Sequence, residues 1–205
     1  MALVDFLIKK GWLKTPRIIQ AFRKIKRIDF LPEEIKDLAE LDQALPIGFG
    51  QTISQPLVVA FMIENLKPKE GDKILDIGSG SGWTTALLGE IVGPKGKVVG
   101  IELIPELMEF GKKNVSKYNF VKEGRIEFLC QDGSKGYKKE APFDKILCSA
   151  AVQDKIPHSW KEQLKIRGRI VTPIRSSIWL FIKKSEKDFE TKEFPGFAFV
   201  PLIEK

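Results

Sequence analysis

The run Ile74-Leu75-Asp76-Ile77-Gly78-Ser79-Gly80-Ser81-Gly82-Trp83 sets an acid inside an apolar segment and then a glycine at every second position. Glycine accepts positive φ and has no Cβ, so such a turn lets a ligand approach the backbone closely. The spacing restricts which ligand. A dinucleotide fingerprint is G-x-G-x-x-G, with pyrophosphate on the next helix N-terminus. Here the third glycine arrives one residue early, and Trp83 holds the place it would need. Asp76 on the approach disfavours phosphates and favours a cation. Two further acids, Glu102 and Asp132, end later apolar runs. Glu102 lies 24 residues after Gly78 and suits a carboxylate that accepts from both hydroxyls of a ribose. Asp132-Gly133 suits a donor such as the adenine amino group. Each acid alone also reads as an ordinary strand-end or turn carboxylate; the cofactor reading rests on all three following successive strands.

An acid followed by G-x-G-x-G resembles the first motif of S-adenosylmethionine-dependent methyltransferases. Their cofactor carries a sulfonium and an ammonium and no phosphate. The resemblance implies S-adenosyl-L-methionine as cofactor and S-adenosyl-L-homocysteine as product. Amino-methylating enzymes of this fold often carry an Asn/Asp-Pro-Pro-aromatic run after the fourth strand. Here that place holds Cys148-Ser-Ala-Ala-Val, and no catalytic base is evident. The acceptor is therefore expected to be a nucleophile already at neutral pH, such as a carboxylate. Its attack on a sulfonium methyl neutralises both charges, so positioning and water exclusion matter more than proton transfer. Orientation alone is worth up to about 7–11 kcal/mol.

The elements that must hold these residues follow from periodicity. Residues 2–41 are helical in pattern: Leu3, Phe6 and Leu7 share a face, Thr15-Pro16 reads as an N-cap and first turn, and Pro32 opens a short helix. The stretch 42–54, with Pro46, Gly48 and Gly50, reads as a long loop of the kind that carries function. Ser54 and Pro56 then read as the N-cap and early turn of a helix over 57–66. From Lys73 the chain alternates, with strands expected at 73–77, 97–102, 125–131, 143–149 and 169–174. Helices are expected at 83–92, 105–120 and 155–164. Alternation of this kind argues for a parallel sheet covered on both faces. Residues 177–183 and 197–203 are strand-like without an intervening helix, which predicts an antiparallel C-terminal edge. The expectation is one α/β domain over 1–205. Residues 1–54 would form the N-terminal helices and a substrate and cofactor loop; 55–205 would form the cofactor-binding core and C-terminal strands.

Composition narrows the classes further. The chain has 205 residues, enough for one substantial core, and no apolar run approaches the ~18 residues of a membrane span. The N-terminal stretch has no basic leader, so no signal peptide is expected. Net charge is +7, yet the lysines are scattered rather than blocked with aromatics; a solvated surface is the expected reading, and no nucleic acid partner. His158 is the only histidine, which argues against a metal site and a histidine-centred triad. Cys130 and Cys148, both in strand-like runs, read as buried reduced thiols of a cytoplasmic protein. A monomer is expected.

Leu45-Pro-Ile-Gly-Phe-Gly-Gln-Thr-Ile-Ser-Gln-Pro resembles the diagnostic loop of protein-L-isoaspartate (D-aspartate) O-methyltransferases. So do Leu13-Lys-Thr-Pro-Arg, Phe30-Leu-Pro-Glu-Glu, the glycine turn, Asp132-Gly133, Pro142-Phe-Asp, Ala150-Ala151 and the closing Phe199-Val-Pro-Leu. The resemblance is nearly full length and implies a Rossmann-like methyltransferase fold. It implies that Ser54 is the active-site serine, and that Thr52, Ile53, Asp76, Gly78, Ser79, Gly80, Gly82, Glu102, Asp132 and Gly133 bind the cofactor. Ile47, Gly48, Gly50, Gln51, Ala150 and Ala151 would meet the substrate. That substrate would be an L-isoaspartyl residue in a damaged protein or peptide, methylated on its free α-carboxyl. The ester would then close to a succinimide, whose hydrolysis returns some normal aspartate. By residue mechanics alone Ser54 reads first as a helix N-cap, and both roles can coexist. Phe49 reads equally as a substrate contact or a loop anchor. Three departures from the family pattern, Trp83 for tyrosine, Lys165-Ile-Arg-Gly for Lys-Pro-Gly-Gly and a short hairpin after Ile174, bear on substrate preference. An RNA or small-molecule methyltransferase of the same fold, or a cofactor-binding protein without catalysis, are the alternatives.

Overall fold

The computed structural model describes residues 2–204. Two short helices, α1 (Leu3–Lys9) and α2 (Pro16–Lys24), lead through two 3-10 turns to a small hairpin of β1 (Leu45–Gly48) and β2 (Gln51–Ile53). Then come α3 (Pro56–Leu66), β3 (Lys73–Ile77), α4 (Trp83–Val92), β4 (Lys97–Glu102), α5 (Pro105–Ser116) and β5 (Ile126–Cys130). The chain ends with β6 (Phe143–Cys148), α6 (His158–Gln163), β7 (Leu164–Ile174), β8 (Ser177–Lys183) and β9 (Phe189–Pro195). The seven-stranded sheet has the order β5-β4-β3-β6-β7-β8-β9. Its first five members run parallel, and β8 and β9 return antiparallel.

Alternating residues of the buried strands feed two cores. Ile74, Val98, Leu147 and Val171 point to the side of α1 through α5, while Leu75, Ile77, Val99, Ile101 and Ile146 face α6 and its buried Trp160. Both sheet faces are covered, as near-continuous apolar parallel strands require. Progress from β3 to β4 to β5 goes one way, and β6 then lies on the other side of β3. That reversal opens a crevice at the carboxyl ends of β3 and β6, where ligands of open α/β sheets bind.

Several expectations need correction. The loop expected over 42–54 contains the β1–β2 hairpin, pairing Leu45 with Ile53 and Pro46 with Thr52. Strands of four and three residues, broken by Pro46 and Gly48, are too short to display a period. The N-cap of α3 is Gln55, not Ser54, and no cap bond comes from its side chain; Asp42 Oδ1 instead accepts from Leu57 N at 2.8 Å. Thr15 does stand at the N-cap of α2, but its hydroxyl donates to Glu64 at 2.7 Å. The outer edge strand is Phe189–Pro195, and 197–203 forms none. Pro201 has no N–H to continue a ladder, and Phe197 stacks on Phe61 with ring centroids 5.4 Å apart, which pulls the tail off the sheet. The helix expected over 155–164 is confined to α6, and α5 stops at Ser116. Cys130 is exposed because it ends the edge strand β5, whereas Cys148 is buried as expected.

Candidate active site

The glycine turn starts where β3 ends. Gly78 N and Ser79 N both donate to Ile101 O, at 2.8 and 3.0 Å, and Gly80 N donates to Glu102 Oε2 at 2.9 Å. The turn is thus fastened to the end of the neighbouring strand β4. Gly82 has φ 85° and a Cβ there would lie 2.8 Å from Gly111 O, so only glycine lets α4 start this close to α5. A Cβ on Gly80 would come within 3.3 Å of Ile47 Cδ1, because the β1–β2 hairpin lies across the turn.

The three acids are placed differently from one another. Glu102 is 8% exposed and accepts from Leu103 N at 2.8 Å and Ile104 N at 3.1 Å through Oε1. With Gly80 on Oε2, three acceptor positions are taken, and Oε2 keeps one for a ligand hydroxyl. Asp76 is fully buried beneath the turn, with Oδ2 accepting from Thr85 Oγ1 at 2.6 Å. Burial pushes its pKa up to about 7; the Thr85 bond opposes that shift and the Glu102 charge adds to it. Asp132 Oδ1 accepts from Ser134 N at 2.8 Å, and Lys135 lies 3.5 Å from Oδ2.

Above the turn lies a cleft of about 830 Å³ including its open mouth, a size suited to a small-molecule ligand. Ile47, Gln51, Thr52, Ile53, Ser54, Gly78, Ser79, Gly80, Glu102, Gly133 and Ala150 line it. Gly48, Gly50, Asp76, Gly82, Asp132 and Ala151 do not; Asp76 and Gly82 sit behind the wall, and Gly48 and Gly50 form the hairpin tip. The tip residue Phe49 is 60% exposed with φ 54° between these two left-handed glycines. A second cleft of about 970 Å³ adjoins the first and shares Thr52, Ser54, Ser149 and Val200 with it. Ala44, Gln55, Val58 and the tail from Gly196 to Phe199 complete it, and no charged side chain among the described residues lines it. The Ser54 hydroxyl stands at the junction and has no hydrogen-bond partner among the described residues.

The first cleft fits a ligand that is apolar in part, cationic at one end and rich in hydroxyls. Ile47, Ile101 and Ile104 give apolar walls, and Glu102 gives an acceptor. Asp76 Oδ1, Ser79 Oγ and Trp83 Nε1 are buried without partners among the described residues, and all three cluster at the turn. Buried polar atoms in native proteins nearly always have partners. Ser79 and Trp83 belong to the cleft wall and Asp76 lies directly beneath it, a polar setting that fits the ammonium and ribose of S-adenosylmethionine.

A sequence model of the protein-L-isoaspartate (D-aspartate) O-methyltransferases matches residues 1–205. The chain belongs to this family. It is 41% identical to the protein-L-isoaspartate O-methyltransferase of Methanopyrus kandleri over 205 residues, covering 98% of this chain and 89% of that one. It is 45% identical over 189 residues to protein-L-isoaspartate O-methyltransferase 2 of Archaeoglobus fulgidus, covering 91% and 84%. In fold it is similar, with a TM-score of 0.89 at 20% identity over 99% of this chain and 97% of that one, to a Plasmodium falciparum structure. That structure is described as a protein-L-isoaspartate O-methyltransferase in complex with S-adenosyl-L-homocysteine.

Within this family member, the tail supplies what residue patterns missed. Val200, Pro201, Leu202 and Ile203 line the first cleft. They are held by Ala151 N donating to Val200 O at 2.7 Å and Leu202 N donating to Ala151 O at 2.8 Å. The signal existed in the closing Phe199-Val-Pro-Leu, but its alternation suggested an edge strand rather than a wall. Trp83, Leu103 and Ile104 also line the cleft. Trp83 directly follows Gly82, and Leu103 and Ile104 come next after Glu102.

Proposed function

We propose that this methyltransferase moves a methyl group from S-adenosylmethionine to the free α-carboxyl of an L-isoaspartyl residue in a damaged protein or peptide. The observation that carries the proposal is Ser54 at the junction of two clefts, with its hydroxyl uncommitted. S-adenosylmethionine supplies an electrophilic methyl on a sulfonium. Glu102 accepts a ribose hydroxyl, the Asp76 carboxyl attracts the cationic end from beneath the turn, and the isoleucine walls exclude water. Ser54 donates to one oxygen of the incoming carboxylate from the acceptor side and leaves the other aimed at the methyl. No residue has to remove a proton, because the acceptor is already ionised; that agrees with a cleft that no titratable side chain among the described residues lines. Ester formation then permits closure to the succinimide and partial return to aspartate.

Among the described residues no lysine or arginine lines the cleft, which supports a peptide rather than a nucleic acid acceptor. The extended tail over 196–200 on one wall suits an extended peptide lying alongside it. An edge strand β9 bearing exposed Glu190, Lys192 and Glu193 resists edge-to-edge pairing and supports a monomer. The exposed free thiol of Cys130 supports a reducing, cytoplasmic setting. No helix among the described residues is long and apolar enough to cross a membrane.

The test is transfer of labelled methyl to a pair of synthetic peptides, one isoaspartyl and one aspartyl. Base-labile ester on the isoaspartyl peptide alone is the expected result. Cofactor binding with neither peptide methylated would overturn the proposal.

A further inference from the structure

Arg27 has no part in the chemistry above, yet its side chain is placed with unusual care. It belongs to the 3-10 turn Arg27–Phe30 and is only 5% exposed. Nη1 donates to Ala39 O at 3.3 Å and Leu41 O at 2.9 Å. Nη2 donates to Gln43 O at 2.7 Å and Ser54 O at 3.3 Å. Gln43 precedes β1 and Ser54 follows β2, so one planar fork ties both feet of the hairpin together. The same guanidinium lies 5.4 Å from the centroid of the Trp83 ring, and Trp83 opens α4 and lines the cofactor cleft.

Burying a guanidinium is costly unless its donors are paired; both terminal nitrogens of Arg27 are paired, while its Nε is buried without a partner among the described residues. Asp42 and Glu40 lie close enough to favour the charge, and although burial lowers its pKa to about 10, Arg27 remains protonated at neutral pH. A lysine could not make this fork, since its ammonium is a point charge without a planar donor array. A chain that needed only to close the base of a hairpin could use ordinary backbone pairing. Here a buried cation links the serine's own carbonyl to the ring beside the cofactor turn.

We propose that Arg27 is a positioning residue for methyl transfer, setting where the Ser54 hydroxyl stands relative to the glycine turn by holding the Ser54 carbonyl and the Trp83 ring on one guanidinium. The proposal rests on the role given to Ser54 above. A displacement of about 1 Å in such an alignment costs up to about 100-fold in rate. Because Arg27 acts through Ser54, its removal should matter little once the hydroxyl has gone.

The experiment is a double-mutant cycle on the full chain: Arg27→Met and Arg27→Lys, each alone and combined with Ser54→Ala. It reads kcat on the isoaspartyl peptide, affinity for S-adenosylhomocysteine by calorimetry, and folding by circular dichroism. Arg27→Met should lower kcat about 10- to 100-fold with intact folding and nearly unchanged affinity, and Arg27→Lys should fall between it and the parent. In the Ser54→Ala background either change should cost less than about 3-fold. Equal losses in both backgrounds, parallel loss of cofactor affinity, or an unchanged kcat would each overturn the proposal. Where Arg27→Met does not fold, Arg27→Lys decides on the same criteria. If Ser54→Ala alone leaves kcat intact, the role of Ser54 falls first, and this inference falls with it.

Discussion

The two ends of the parallel sheet are made from the same strands and treat charge in opposite ways. At the amino end, Lys73 and Lys97 begin β3 and β4 in direct register, which sets two like charges side by side. Glu140 bridges them, 3.4 Å from Lys73 and 2.8 Å from Lys97, and Glu127 lies 2.8 Å from Lys97 on its other side. Lys165 pairs with Asp144 at 2.8 Å in the same region. At the carboxyl end, Asp76 Oδ1, Ser79 Oγ and Trp83 Nε1 stay buried without partners among the described residues, and Ser54 keeps a free hydroxyl. The amino end ties Lys73, Lys97 and Lys165 into ion pairs that support the fold. The carboxyl end leaves polar groups unmatched at and beneath the wall of the cleft. Function at strand carboxyl ends is a general rule of such sheets; among the described residues the carboxyl end gathers three unpartnered buried atoms at the glycine turn, against Arg125 Nε where β5 begins.

The largest expected effect strikes the unmatched end. Ser54→Ala should lower kcat on the isoaspartyl peptide by about 100-fold, the usual loss of one donor to a reacting oxygen, with little change in S-adenosylhomocysteine affinity by calorimetry. An unchanged kcat would remove Ser54 from the chemistry. Glu102→Gln comes next. It takes a charge from bonds to three backbone N–H groups and a ligand hydroxyl, and cofactor affinity should fall about 10- to 100-fold.

Asp76 should show itself through pH. Burial holds its pKa near 7, and a cationic ligand above it favours the ionised form, so cofactor binding releases a proton. Affinity for S-adenosylmethionine should therefore rise with pH; a lowering of one unit in the complex gives about a fivefold gain from pH 6 to 8. Asp76→Asn should flatten that rise. The free protein should also lose stability as pH rises from about 4 to about 7, because the folded state holds the Asp76 proton more tightly than the unfolded chain does.

Glu140 at the opposite end has the opposite sign. Hydrogen bonding from Lys97 holds its pKa below the usual carboxylate value of 4.5, so its contribution is present above that pH and is lost as pH falls through the folded value. Glu140→Gln should cost only about 0.2–1 kcal/mol per pair lost, shrink further in high salt, and leave kcat unchanged. A large loss of activity there would break the contrast between the two ends.

Much of this was readable from residue order. The strand, turn and helix over 73–92 follow from an apolar run, glycines at positive φ and an apolar helical segment, all of which are local requirements. The register that brings Glu102 to the Gly80 amide follows from parallel pairing of consecutive strands. The hairpin was not readable, because neither arm is long enough for a period to appear. Strand β9 was hidden for a different reason. Its run Phe-Glu-Thr-Lys-Glu-Phe-Pro pairs with β8 along the main chain and packs only Phe189 and Phe194 on the cores, five residues apart, which is too sparse to show a strand period. Arg27 showed nothing in sequence, since an arginine beside a helical segment normally faces solvent.

The sequence by itself determined the parallel sheet, the glycine turn and the class of ligand that turn admits. These depend on backbone conformation and side-chain period within a few residues. Only the tertiary structure decided which polar groups remain available for chemistry. Ser54 is free because Asp42, twelve residues earlier, has taken over the start of α3; Val200 to Ile203 form a wall because Ala151 holds them; Arg27 is buried because four distant carbonyls converge on it. Each of these outcomes is a competition for hydrogen-bond partners between residues far apart in the chain, and that competition is settled only when the fold brings them together.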